Sequence, residues 1–262
     1  MSAIFFDIDG TIFDGTKIHQ EVIDAIKETQ KRGHYCFIAS GRPISFLNQD
    51  VLDISFDGYI LANGATVVFE DKMITNKYLP IDPVKQLLHY CDSHHIEYIL
   101  LTENEGYLRK DCSYLRKFYP MAHVDPTHFI TDFHNEDVID HIVKIELHPE
   151  SEEQYKTFVE ILGDEFFIML PSGSGVAEIS RRDVNKGTAI KNVIQYLHLS
   201  LNDSYAFGDG ANDIGMFEAV AHPIVMKNAS EDLKRQAEFI CESVYDNGVA
   251  KELKRLFLLD WR

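Results

Sequence analysis

Met1-Ser2-Ala3-Ile4-Phe5-Phe6-Asp7-Ile8-Asp9-Gly10-Thr11-Ile12-Phe13-Asp14 opens the chain and decides how the rest is read. Ala3 to Phe6 is a short apolar run that reads as a buried strand. The pattern breaks at Asp7-Ile8-Asp9-Gly10-Thr11. Two carboxylates two positions apart at a strand end point the same way, because strand side chains alternate with period two. Gly10 and Thr11 then turn the chain away. Ligands of open α/β sheets sit beyond the carboxyl ends of the strands, and clustered acids there suit a hard divalent cation with a reacting phosphate. An acidic turn with Asp at a helix N-cap is the reading that this segment alone leaves open.

Downstream, Ile18, Val22, Ala25, Ile26 and Thr29 recur at helical spacing, with Gly33 as a stop. Tyr35 to Ala39 is a second buried strand, ending in Ser40-Gly41-Arg42-Pro43. Pro43 is expected as the first residue of a helix, whose N-terminus would offer backbone N–H groups to an anion. Ser40 then reads equally as a plain N-cap or as a phosphate ligand, and the two roles are compatible. Tyr59 to Ala62 is a third strand, followed by Asn63-Gly64-Ala65 and a hairpin around Glu70-Asp71-Lys72. Strand and helix alternate at the rhythm of βαβ units, which predicts a parallel sheet.

The character changes near Leu79-Pro80-Ile81-Asp82-Pro83. Helices are expected over 84–94, 111–119 and 152–162, and strands over 97–101, 106–109, 141–148, 166–170 and 176–180, with 120–136 irregular. Strand pairs with interspersed helices make an α+β unit inserted into the first, so the expected domains are 1–80 with 184–262, and 81–183. Pro171-Ser172-Gly173-Ser174-Gly175 lacks the Lys of a nucleotide loop and reads as a hairpin turn. Asn185-Lys186-Gly187-Thr188 then opens a helix, and a cation at a helix start is disfavoured by the macrodipole unless something anionic lies nearby. Ser204 to Phe207 is a strand running into Gly208-Asp209-Gly210-Ala211-Asn212-Asp213, where carboxylates again meet glycines at a strand end.

Composition bounds the chemistry. A formal net charge of −17 over 262 residues argues against nucleic acid or an anionic membrane as partner. It leaves room for an anionic small substrate in a cleft whose field a cation inverts. Cys36, Cys91, Cys112 and Cys241 form no paired motif, which fits a reducing cytosol. No histidine falls at metal-ligand spacing. Neither a signal peptide nor an apolar run long enough to span a bilayer is read, so a cytoplasmic protein is expected.

Taken in order, Asp7-Ile8-Asp9-Gly10-Thr11, Ser40-Gly41-Arg42-Pro43, Asn185-Lys186-Gly187 and Gly208-Asp209-Gly210-Ala211-Asn212-Asp213 resemble the four motifs of the haloacid dehalogenase superfamily. Ala39-Ser40-Gly41-Arg42-Pro43 and Ala62-Asn63-Gly64-Ala65 further resemble its Cof-type, sugar-phosphatase-like branch, subfamily IIB. Asp9 to Ser40 spans 31 positions and leaves no room for an inserted domain, whereas Ser40 to Lys186 spans 146. The resemblance is therefore to the type C2B arrangement, a Rossmann-like parallel-sheet core with an α+β cap inserted between the second and third motifs. One departure is Ile12-Phe13-Asp14, where members usually carry Leu; Asp14 adds charge near the site.

The resemblance implies a Mg²⁺-dependent phosphatase. Asp7 would attack phosphorus, Asp9 would protonate the leaving oxygen and later deprotonate water, and Lys186 would hold phosphoryl oxygens with Ser40 and the Gly41 N–H. The metal would take Asp7, the Asp9 carbonyl and Asp209, with Asp213 helping directly or through water. Asn63, Arg42 and Asn212 are implied as phosphate or substrate contacts. A carboxylate meeting a phosphate dianion at about 4 Å costs roughly 8 kcal/mol at an effective dielectric near 20, which the cation and Lys186 would relieve. The partner implied is a small phosphorylated metabolite, with the protein a monomer or homodimer. Tyr107, Arg109, Arg116, Lys117, Arg181 and Arg182 are expected either to meet a second charged group or sugar, or to be solvated. A phosphomutase of the same superfamily and a non-catalytic, phospho-responsive binding protein are the alternative functions.

Overall fold

In the computed structural model, which describes residues 1–170, 175–235 and 237–257, the apolar runs become the strands of two sheets. The chain divides into two units: Met1–Gly41, Asn48–Ile74 and Asn185–Arg262 form the first, Arg42–Leu47 and Thr75–Val184 the second. The divisions at 74/75 and 184/185 stand against the expected 80/81 and 183/184. The assignment of 42–47 to the second unit has no counterpart in the sequence reading.

The first unit begins with β1 (Ala3–Phe6), α1 (Gln20–Lys31), β2 (Tyr35–Ala39), α2 (Gln49–Leu52), β3 (Gly58–Leu61), β4 (Thr66–Phe69) and the start of β5 (Lys72–Asn76), whose last two residues belong to the second. The second contributes α3 (Ile81–Ser93), β6 (Tyr98–Thr102), β7 (Gly106–Leu108), α4 (Ser113–Met121), β8 (Ile142–Leu147), α5 (Glu152–Leu162), β9 (Phe166–Met169) and β10 (Ala177–Arg181). The first unit then resumes with α6 (Lys186–Tyr196), β11 (Ser204–Gly208), α7 (Ile214–Phe217), β12 (His222–Met226), α8 (Glu231–Lys234), β13 (Ile240–Cys241) and α9 (Gly248–Phe257).

The large sheet has the order β13-β12-β11-β1-β2-β3-β4-β5. Its pairings from β13 to β3 are parallel, and β4 returns antiparallel to β3. The chain moves outward from β1 through β2 and β3 on one side, then comes back as β11 on the other. That reversal makes the carboxyl ends of β1 and β11 a topological switch point, where a ligand crevice forms. Strands buried on both faces read as continuous apolar runs. Phe5, Phe37 and Ile60 pack toward Ile190 and Val193 of α6, while Phe6 stacks on Phe207 at 5.2 Å.

The smaller sheet, β7-β6-β8-β10-β9, is antiparallel throughout. Period two is visible in β6. Tyr98 and Leu100 join the core with Leu87 of α3 and Phe158 of α5, whereas Ile99 and Leu101 join the cluster with Leu115 and Tyr119 of α4. Helix α4 starts at Ser113 and not at the expected Asp111, because the Glu97 carboxylate accepts the backbone N–H groups of Ser113, Tyr114 and Leu115 at 2.7–3.0 Å.

One local expectation fails. No α-helix begins at Pro43: its ψ of 168° is extended, and only a three-residue 3₁₀ turn, Ile44–Phe46, follows. The next α-helix starts at Gln49. Ser40 is therefore not an N-cap, and the segment's apolar residues serve the second unit instead. The expected turn at 171–174 lies outside the described residues.

Candidate functional site

Asp7 is the first residue after β1, and its N–H still donates to Phe207 O of β11 at 2.9 Å. The carboxylate is thereby fixed between the two switch-point strands, and the residue is only 8 % exposed. Asp9, two positions on, is exposed. Between Asp9 and Thr11 the chain turns through Gly10 at φ +78°, where a Cβ would also fall on the Asp209 carboxylate. Glycine is needed there for both reasons.

Asn185 opens α6 with a capping box: its side chain accepts from Thr188 N at 2.8 Å, and its own N–H donates to the Thr188 hydroxyl at 3.0 Å. That cap holds the first turn so that Lys186 points inward, 1 % exposed. Its ammonium donates to Asp7 Oδ1 at 2.5 Å and Asp213 Oδ1 at 2.6 Å. The anion that the macrodipole argument required is thus a pair of carboxylates.

Asp209 and Asp213 come from the turn after β11. Asp213 is fully buried, and its Oδ2 accepts the N–H groups of Asp209 and Gly210 at 3.1 and 3.0 Å. Both its oxygens are therefore committed. Carboxylate oxygens of Asp7, Asp209 and Asp213 lie within 4.8 Å of one another. Asp7 and Asp209 each keep an oxygen outside the hydrogen bonds to Lys186 and Asn228. An all-oxygen, anionic donor set of this kind fits Mg²⁺, with Asp213 placed to orient its neighbours.

The electrostatics point the same way. Burial, then the charge of Asp213, pushes the Asp7 carboxyl up to about 8, although Lys186 pulls it down. Burial, then Asp213, raises Asp209 to about 6. Burial alone would lower Lys186, but Asp213 and Asp7 outweigh it and hold the ammonium charged. One buried cation among three acids leaves excess negative charge that a divalent ion would compensate.

Asn228 escaped the sequence reading. Its amide donates to Gly10 O at 2.8 Å and Asp209 Oδ2 at 3.2 Å, and its carbonyl accepts Val244 N at 2.9 Å. It ties the first and fourth motifs together. Its signal in the sequence is an Asn just beyond the apolar run Pro223 to Met226.

The remaining expected residues separate. Ser40 is buried and Gly41 follows it at the end of β2. Asn63, left-handed at φ 56°, donates its N–H to Ser40 O at 3.0 Å, and a Cβ on Gly41 would lie 2.9 Å from Asn63 Oδ1. These three are together. Asn212 is exposed in the turn between Asp209 and Asp213. Arg42 groups with the second unit, its guanidinium donating to Ala122 O at 3.0 Å. Asp14 now has an account: Oδ1 accepts Thr16 N, Thr16 Oγ1 and Lys17 N at 2.6–2.9 Å, and Oδ2 meets His19 at 2.8 Å. Those bonds, the Thr16 hydroxyl first, hold its carboxyl well below the usual range and shape the turn leading into α1.

Most candidate cations of the second unit are engaged internally. Arg109 meets Asp92 at 2.5 Å, Arg116 donates to Leu108 O at 3.0 Å, Arg181 pairs with Asp183 at 2.8 Å, and Arg182 donates to Asp164 O at 2.7 Å. Tyr107 packs on Phe133, and Lys117 is exposed. Among the described residues, no helix is long and apolar enough to cross a membrane.

Comparison with known proteins bears on this arrangement as a whole. The haloacid dehalogenase-like hydrolase family profile matches residues 4–253. The chain is 30% identical over 265 residues to YkrA of Bacillus subtilis (strain 168), provisionally named a phosphatase, covering 98% of each chain. It is 27% identical over 281 residues to the 5-amino-6-(5-phospho-D-ribitylamino)uracil phosphatase YwtE of the same organism, again covering 98% of both. Its fold superposes on the HAD subclass IIB sugar phosphatase BT4131 with a TM-score of 0.83 at 26% identity, covering 98% of this chain and 100% of that one.

Proposed function

Because the chain belongs to the haloacid dehalogenase-like hydrolases and is a phosphatase, we propose that it hydrolyses phosphomonoesters of small metabolites, sugar phosphates or similar. The reaction runs through an aspartyl-phosphate on Asp7, and Asp7, Asp209 and the Asp9 carbonyl would hold Mg²⁺. The observation that carries the reading is Lys186, buried between Asp7 and Asp213 at the carboxyl ends of the adjacent strands β1 and β11. The substrate class is supported by the names of two relatives, one a sugar phosphatase, the other acting on a phosphorylated ribityl chain.

In the first step, Asp7 forms a bond to phosphorus while the bond from phosphorus to the leaving oxygen breaks, and Asp9 gives that oxygen a proton. In the second, water attacks phosphorus, Asp9 takes its proton, and the Asp7 carboxylate leaves. Lys186 and the backbone N–H of Gly41, with the Ser40 hydroxyl, hold the phosphoryl oxygens in both steps. Asn63 keeps Ser40 and Gly41 in place, and Asn212 lies at the exposed side of the fourth motif. Bound Mg²⁺ supplies the positive charge that offsets repulsion between the nucleophile and the phosphate. Asn228 and Asp213 act by orienting Asp209.

The test is phosphate release from a panel of phosphorylated metabolites, with Mg²⁺ and with chelator. Free phosphate appearing only with Mg²⁺ supports the proposal. An isomeric phosphate in place of free phosphate would make the protein a mutase.

A further inference from the structure

Asp7, Asp209 and Asp213 all belong to the first unit, and most of their carboxylate oxygens are already held by hydrogen bonds from that same unit. Lys186 holds Oδ1 of Asp7 at 2.5 Å and Oδ1 of Asp213 at 2.6 Å. The N–H groups of Asp209 and Gly210 hold Asp213 Oδ2 at 3.1 and 3.0 Å. The Asn228 amide holds Asp209 Oδ2 at 3.2 Å. What the three acids leave for an ion is one oxygen of Asp7 and one of Asp209.

The hold on Asp209 is firmly placed. The Asn228 amide also donates to Gly10 O at 2.8 Å, and its Oδ1 accepts Val244 N at 2.9 Å. Two acceptors and one N–H donor around one amide fix which end is the nitrogen, and both of its N–H groups are then in use. Val244 is buried, and it opens a turn that Gly248 closes by donating its N–H to Ser243 O at 2.9 Å. The first motif confines the same carboxylate: a Cβ on Gly10 would fall closer to Asp209 Oδ2 than to Oδ1. Oδ2 therefore lies against the Gly10 backbone and the Asn228 amide, and Oδ1 is the oxygen left over.

The number of oxygens on offer discriminates between hard cations. Mg²⁺ keeps several waters and takes one or two carboxylates together with phosphate oxygens, whereas Ca²⁺ takes about six to eight oxygens and often uses both oxygens of a carboxylate. We propose that Asn228 sets the preference of this site for Mg²⁺ over Ca²⁺, by holding Oδ2 and so keeping Asp209 to a single ligand oxygen. The proposal rests on the Mg²⁺-dependent phosphatase reading above and deepens it. Asn228 acts through Asp209 and is a positioning residue.

The experiment compares wild type with Asn228→Leu and Asn228→Asp, each verified as folded by circular dichroism and freed of metal by dialysis against chelator. Calorimetry then reads the affinities of Mg²⁺ and of Ca²⁺ separately, in buffer without phosphate. Asn228→Leu removes the donors without adding charge. Asn228→Asp removes them while keeping an acceptor for Val244 N. The lost donation to Asp209 is common to both. Wild type is expected to prefer Mg²⁺. In each variant Mg²⁺ affinity is expected to fall about tenfold with Ca²⁺ affinity held or raised, so the preference narrows by at least that factor. An unchanged ratio of the two affinities in either folded variant would overturn the proposal, even if both affinities fell together, because parallel loss is what a merely structural role gives. A wild type without preference between the ions would overturn it as well. A wild type that prefers Mg²⁺ but releases no phosphate from any member of the panel would count against the phosphatase reading alone, and the variants' ratios would still decide the role of Asn228.

Discussion

Lys186 in the first unit and Lys144 in the second are each buried between two carboxylates. Lys186 is 1 % exposed and Lys144 is 2 %. Lys144 meets Glu146 and Glu178 at 2.7 Å each, as closely as Lys186 meets Asp7 and Asp213. The difference lies in where the acids stand. Glu146 and Glu178 are cross-strand partners within β8 and β10, and the Tyr119 hydroxyl closes the other oxygen of Glu146 at 2.6 Å. The acids around Lys186 stand at strand ends beside glycine turns, and a third carboxylate, Asp209, leaves their charge uncompensated. Buried ion triads are poor indicators of function on their own. What distinguishes the first is unmet charge at a place the sheet leaves open.

The strongest way to break this comparison is to remove the proposed nucleophile. Asp7→Asn is expected to keep its circular dichroism spectrum and to lose at least about 10³-fold in phosphate release. Near-normal release would move the chemistry elsewhere. Replacing each lysine in turn tests the contrast itself. Lys186→Met is expected to lower kcat by about 10²–10³-fold. Lys144→Met leaves two acids without their cation and is expected to cost about 3–5 kcal/mol of stability, with kcat per folded molecule unchanged. Loss of kcat in Lys144→Met without loss of stability would make the second triad part of the site.

A divalent ion sharpens the contrast, because only the first triad should respond to it. Without the ion, the Asp7 carboxyl sits at about 8, above its ordinary 3.8. The folded state then keeps a proton that the unfolded chain gives up near pH 4, so this contribution to stability is present at low pH and declines as pH rises toward 8. A Mg²⁺ ion held by these acids would compete with that proton and with the one on Asp209, at about 6. Melting curves should show Mg²⁺ raising Tm more at pH 8.5 than at pH 5.5. A larger rise at the lower pH would place the ion away from these acids.

The site was far more legible in the sequence than its supports. Asp7, Lys186, Asp209 and Asp213 could be found because charged residues interrupt apolar runs at strand ends, and because the four motifs keep their order. Their convergence needs only the parallel sheet that the same runs predict. Asn228 is uncharged and sits in an ordinary turn, so nothing local separates it from any other loop Asn. The 42–47 segment misled more actively, since Pro43 followed by Ile44, Phe46 and Leu47 looks like a helix start. Its partners, Ala122, Tyr119 and Phe129, lie more than seventy residues downstream. The arginines of the second unit looked available because ion pairs such as Arg109 with Asp92 follow no short spacing.

The smallest expected effect concerns Glu97, a carboxylate of the second unit that does for α4 what Asn185 does for α6. Cys112, at the N-cap position of α4, offers no side-chain acceptor. Glu97 accepts from Ser113 N and Tyr114 N through Oε1 and from Leu115 N through Oε2, at 2.7–3.0 Å. Glu97→Gln keeps one oxygen but turns an amide donor toward a backbone donor, and it removes the negative charge that the helix N-terminus favours. A loss of about 1 kcal/mol is expected, read as a fall in Tm of about 2–4 °C. An unchanged Tm would show that Glu97 does not stabilise the start of α4.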